Sequence, residues 1–178
     1  MFRLLTTETL IAYSSAFKWN KTPLKLHIHH TYLPDFASWQ KRPDGLYWQN
    51  SMRDYHVKVR GFRDIAQHLT LLPAGNWITG RDFNMSPASF LGHNDRAFAI
   101  EMLGNFDKGH DKFQGKQAAA MYKFAAWFIK HFNLSTNDII FHRESKGAYK
   151  TCPGTSINKK DFIAGVIAYQ TAATFPDL

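Results

Sequence analysis

A chain of 178 residues has the size of one compact domain, long enough to bury roughly two-thirds of the surface its unfolded form exposes, so it needs no covalent staples. With 44% hydrophobic, 15% aromatic and 20% charged residues it is neither a disordered nor a low-complexity sequence, and its one cysteine, Cys152, excludes an intramolecular disulfide. The net charge of +8 favours anionic partners such as nucleic acid, an anionic membrane surface or an anionic cell wall.

The basic residues are scattered, and no helix-turn-helix, Cys2His2 finger or RNP signature accompanies them, so nucleic acid is not the expected partner. Met1 to Leu5 is followed at once by polar Thr6, Thr7 and Glu8, which leaves no apolar region of signal-peptide length. No stretch is long enough to span a bilayer, so membrane insertion is not expected.

In chain order, Thr6-Thr7-Glu8 before Leu10, Ile11 and Tyr13 predicts a short capped helix. Pro23 to His30 predicts a strand whose alternation puts Leu24, Leu26 and Ile28 on one face and His27 and His29 on the other. His27 shares the face of His29 and reads first as a solvated strand position, with a residue that supports His29 from behind as the alternative. A Pro and Gly loop from Pro34 to Gly45 precedes an amphipathic helix marked by Tyr47, Trp48, Met52, Tyr55 and Val59, with Gly61 as its stop. Residues 67–72 and 77–80, joined by Pro73-Ala74-Gly75-Asn76, predict a β-hairpin. Ala97 to Leu103 predicts another strand, Lys116 to Phe132 the longest helix, Ile139 to His142 a short strand, and Lys159 to Thr171 a closing helix. Strands and helices interleave with no interior linker or repeat, which predicts a single α/β domain, residues 1–178, with a central mixed sheet flanked by helices.

His29 and His142 each end a predicted strand, and Cys152 lies ten residues beyond the second, on a loop that includes Gly147. Two imidazoles and a thiolate suit a catalytic zinc site with one position left open. Spacing alone leaves the alternatives standing. A chain with nine His offers such triples by chance, and a lone Cys is commonly a small core hydrophobe.

Five ordered segments carry a resemblance. Ile28-His29-His30-Thr31, Trp77 to Arg81, Asn94 through Glu101 to Asp107, Phe141-His142-Arg143, and Lys150-Thr151-Cys152-Pro153-Gly154 are similar to the motifs of the zinc-dependent N-acetylmuramoyl-L-alanine amidases. That superfamily of type 2 amidases includes phage lysins and peptidoglycan recognition proteins, and the motif-bearing part spans about residues 24–157. The resemblance implies one zinc ion on His29, His142 and Cys152, with the zinc sited at the strand ends. It also implies Glu101 as general base and Lys150 as a stabiliser of the tetrahedral intermediate. His30 is then turned to the opposite sheet face as a packed or hydrogen-bonding residue.

Two departures set the branch. Gln67 stands where lysins and recognition proteins carry a catalytic Tyr, and the ten-position spacing from His142 to Cys152 resembles the bacterial muropeptide-amidase branch, which uses a Glu. Gln67, Asn94 and Arg81 are the substrate-binding candidates, Arg81 for a muropeptide carboxylate, with a surface turn around Asn94 and a structural ion pair at Arg81 as equal alternatives. The implied reaction is zinc-dependent hydrolysis of the amide between N-acetylmuramic acid and L-alanine in peptidoglycan. The alternatives are a non-catalytic muropeptide-binding module of the same fold and a zinc hydrolase of some other amide. The expected protein is a monomer without a separate wall-binding domain, made in the cytoplasm and acting on the cell wall after release, as a prophage lysin does; a cytosolic recycling enzyme and a domain cut from a longer protein are the alternatives.

Overall fold

A computed structural model describes residues 1–145 and 150–172, which leaves Gly147 outside the described residues. A six-stranded mixed sheet runs in the order β1 (Leu4–Leu5), β4 (Trp77–Thr79), β3 (Leu69–Leu71), β5 (Ala97–Met102), β2 (Lys25–His30), β6 (Ile139–Phe141). The pairs β3–β5, β5–β2 and β2–β6 are parallel, whereas β4 pairs antiparallel with both β1 and β3. The helices are α1 (Thr7–Ser15), α2 (Phe36–Lys41), α3 (Gly45–Asp54), α4 (Gly115–His131) and α5 (Lys159–Ala172). The α/β reading with a central mixed sheet and flanking helices is the observed architecture.

Register decides what each face carries, because paired positions of adjacent strands share a face. Leu26 and Ile28 of β2 pair with Phe98 and Ile100 of β5 and join the main core with Met121, Phe124, Ala125 and Phe128 of α4. Those α4 residues recur at three- and four-residue intervals, so one stripe of a 17-residue helix seals that face. His27 and His29 pair with Ala99 and Glu101, which puts both histidines and the carboxylate on the other face.

Three features differ from the sequence reading. The Pro34–Gly45 loop contains α2, started by Asp35, whose carboxylate accepts from the Ser38 N–H at 2.8 Å; none of its six residues is buried, so no apolar period marks it. β1 is two residues long, too short for any pattern, and is fixed by pairing with β4. His27 is not solvated: it is fully buried, with its Nδ1 3.0 Å from Ser89 Oγ and its ring stacked 3.8 Å from Phe90. The strand is flanked by β5 and β6, and the segment before β5 folds over its second face. Among the described residues no helix is long and apolar enough to cross a membrane.

Candidate metal centre and active site

The parallel strands β2, β5 and β6 end at one edge of the sheet, where open α/β sheets place their ligands. A cleft of about 930 Å³ opens there, lined among others by His29, Glu101, His142, Lys150 and Cys152. Ile28 pairs with Phe141, so the residues that follow, His29 and His142, emerge side by side with ring centres 4.6 Å apart. Parallel pairing thus closes a gap of 113 positions in sequence.

Cys152 arrives on a clamped loop. The Arg143 N–H donates to the Cys152 carbonyl at 2.8 Å, and its guanidinium donates to the carbonyls of Gly154 at 2.7 Å and Ile157 at 2.6 Å. Asp107 accepts from the Thr155 N–H at 2.9 Å and from the Thr151 hydroxyl at 3.1 Å. Gly154, at φ +119°, lies so close to Phe106 that a Cβ would overlap the Phe106 backbone. Gly154→Ala is therefore expected to cost about 1–3 kcal/mol of stability in a urea titration and to displace Cys152.

Cys152 Sγ accepts from the His30 N–H at 3.4 Å and lies 3.6 Å from His29 Nδ1. One donor atom from each of His29, His142 and Cys152 falls within 4.8 Å of the others. Burial, with help from the neighbouring His142, pushes His29 well below the ordinary imidazole range, and burial brings His142 to about 4. Both rings are therefore neutral at pH 7, the state in which imidazole binds metal. Burial and the nearby Glu101 push the Cys152 thiol up, a penalty that a bound cation would offset. Two neutral imidazoles and a thiol converging on one point fit zinc.

Glu101 pairs with His29 across β5–β2 and shares its sheet face. Burial raises its carboxyl to about 8, opposed by the positive charge of Lys150. A group raised in the folded state contributes stability below its unfolded value, and that contribution is lost as pH rises through the folded value. The metal-free protein should therefore lose a few kcal/mol relative to metal-free Glu101→Gln between about pH 4.5 and pH 8, read from urea midpoints across that window.

The remaining sequence candidates separate. Lys150 is exposed on the cleft wall. Gln67 lines the cleft, but its amide donates to Thr70 Oγ at 2.9 Å, Thr70 donates to Gln49 Oε1 at 2.7 Å, and Gln49 donates to the Thr79 carbonyl at 3.1 Å. Asn94 also lines the cleft, with its Oδ1 accepting from the Ser89 and Phe90 N–H groups at 3.0 and 2.8 Å. Arg81 is not among the cleft residues, which corrects its reading as a carboxylate partner. It is buried and donates to the carbonyls of Ile65, Ser86 and Asp64 at 2.7, 2.9 and 3.1 Å. Its charge is taken up by backbone. His30 lies on the opposite face, its Nδ1 accepting from the Phe106 N–H at 3.1 Å. Sequence reasoning missed Ser89 and Phe90, because an irregular polar segment offers no period. Arg143 and Asp107 lay inside the quoted motifs, but nothing in the sequence showed that they hold the cysteine loop.

Residues 19–155 match the family model described as N-acetylmuramoyl-L-alanine amidase. Peptidoglycan-recognition protein LB of Drosophila melanogaster is 33% identical over 129 residues, covering 71% of this chain and 53% of that protein. The N-acetylmuramoyl-L-alanine amidase of Homo sapiens is 31% identical over 86 residues, covering 46% of this chain and 14% of that protein. The chain thus spans about half the length of the first relative and a small part of the second. Among solved structures, the N-acetylmuramoyl-L-alanine amidase LysC from Clostridium intestinale superposes with a TM-score of 0.66 at 20% identity, over 85% of this chain and 93% of that one. A point mutant of Drosophila PGRP-LB in complex with tracheal cytotoxin superposes at 0.65 with 23% identity, over 79% and 80%. At these identities the structures support the fold. With the family model matched over more than half its length and the ordered donor set in place, the chain belongs to the N-acetylmuramoyl-L-alanine amidase family, which comprises peptidoglycan amidases and recognition proteins.

Proposed function

We propose that the protein hydrolyses the amide between the lactyl group of N-acetylmuramic acid and L-alanine in peptidoglycan, with one zinc ion held by His29, His142 and Cys152. The observation that carries this reading is the placement of those donors, Glu101 and Lys150 around one cleft. Zinc at that position supplies a Lewis acid for the scissile carbonyl and lowers the pKa of a water toward about 7.

The chain's own residues do the rest. Glu101 takes the proton of the attacking water and delivers it to the leaving amine of L-alanine, a role suited to a carboxyl whose burial raises its basicity. The Lys150 ammonium faces the charge that develops on the carbonyl oxygen and favours the ionised form of Glu101 at the start of each turnover. Gln67 has no ionisable group, which concentrates proton transfer on Glu101 in place of the Tyr used by related lysins. The names of the relatives and the net charge of +8 support action on an anionic cell wall.

The test is to incubate zinc-loaded protein with a purified muropeptide and look for free stem peptide by mass spectrometry. Release of a peptide beginning at L-alanine supports the enzyme. Binding without release supports a recognition module.

A further inference from the structure

His29 turns Nδ1 toward Cys152 and its other ring nitrogen, Nε2, toward Ser89 Oγ at 2.5 Å. Ser89 Oγ also lies 3.0 Å from His27 Nδ1. His27 has no metal-ligand role, yet it is fully buried, and its Nε2 has no hydrogen-bond partner among the described residues. The next residue, Phe90, stacks on His27 at 3.8 Å and on His142 at 5.0 Å, and lies 5.1 Å from His29 at a tilt. One dipeptide therefore touches both imidazole donors of the candidate metal centre. Asn94 fixes that dipeptide by accepting from both of its N–H groups.

The proton count fixes the direction of the chain. A serine hydroxyl carries one hydrogen, and a neutral imidazole carries one N–H. For Nδ1 of His29 to offer its lone pair beside Cys152, the proton must sit on Nε2, which then donates to Ser89 Oγ. Ser89 has its own hydrogen left to donate, and His27 Nδ1 is the acceptor in reach. His27 must then be protonated on Nε2.

We propose that Ser89 is a positioning residue that holds His29 in the tautomer able to bind metal through Nδ1, with buried His27 as the terminal acceptor of the chain and Phe90 fixing the planes of the histidine rings. This rests on the metal site described above and assigns it a supporting layer supplied by the segment before β5. In metal sites generally, removal of such a partner weakens binding about 10–100-fold.

The test measures zinc affinity by chelator competition for the wild type, Ser89→Ala, Ser89→Thr and His142→Ala. It is accompanied by long-range proton–nitrogen spectra of the zinc-loaded wild type. The expected result is a loss of roughly 10–100-fold for Ser89→Ala, with Ser89→Thr, which keeps the hydroxyl, close to wild type. The spectra should show His29 and His27 both protonated on Nε2. Unchanged affinity in Ser89→Ala while His142→Ala loses zinc would overturn the role of Ser89 and leave the metal site standing. Equal zinc binding by wild type and His142→Ala would remove the metal site and the inference together. If Ser89→Ala does not fold, the wild-type spectra still decide: His27 protonated on Nδ1 contradicts the chain.

Discussion

Glu101→Gln should lower the rate of stem-peptide release by about 10²–10⁴-fold, the range that a positioned general base supplies, while leaving muropeptide affinity near that of the wild type. The substitution keeps the shape of the side chain and its place on β5 opposite His29, so the cleft and the donor set should persist. What it removes is the one carboxylate among the described residues that line the cleft. Gln67 cannot substitute, because its amide is committed to Thr70 and carries no titratable proton. A fall in kcat without a rise in KM is the signature of an interaction made in the transition state. Kinetics on a defined muropeptide, with zinc content checked in both proteins, read this directly. Unaltered turnover would remove Glu101 from the mechanism. A fall confined to binding would reassign it to substrate recognition.

Withdrawal of the metal should have the second large effect. A ligand present at about a thousand times its dissociation constant adds roughly 4 kcal/mol to stability, which for a chain of this size is a rise in Tm of roughly 8–16 °C. Zinc should therefore raise the Tm of the chelator-treated protein by that order, and the rise should vanish in Cys152→Ala. Activity should fall to background with chelator and return with zinc. The thermodynamic reason lies in the site itself. Without a cation, a buried thiol held in its protonated form and two neutral imidazoles face one another, and the thiol is pushed further up by Glu101. A dication held by these donors would reverse that balance by favouring the thiolate and the carboxylate together. Calorimetry of the wild type and Cys152→Ala, each with and without zinc, separates the metal contribution from the cost of the substitution.

Much of the fold was legible because the main elements carry their own periods. The α4 stripe, the hairpin turn at residues 73–76 and the alternation in β2 each announce an element and its inward face. The helix α2 was hidden because none of its residues is buried, and β1 because two residues cannot show a period. His27 was misread because alternation places it on a face without saying what covers that face. The cover is Ser89 and Phe90, from a segment some sixty positions away. Arg81 was misread for a related reason: a charged residue after a strand is expected at the surface, and only the fold reveals three carbonyls waiting for its guanidinium.

The candidate site was legible in a different way. His29, His142 and Cys152 are far apart in sequence, and their spacing carries no spatial information until β2 and β6 are known to run parallel. The ordered motifs supplied what spacing could not. Their meaning in the structure is now physical: Arg143 and Asp107 hold the loop that delivers Cys152, and Gly154 lets it pass against Phe106. Ser89 and Phe90, behind the candidate metal donors, lay outside every motif, and only the fold shows that Asn94, which opens one, fixes them in place.

The most direct test of the central claim is hydrolysis of a muropeptide in water enriched in oxygen-18, followed by mass spectrometry of both products. Zinc-dependent cleavage of the lactyl–alanine amide should place one heavy oxygen on the muramic acid carboxylate and none on the released peptide, whose N-terminus should be L-alanine. Zinc-loaded protein that binds the muropeptide and releases no peptide, or that labels another bond, would contradict the account.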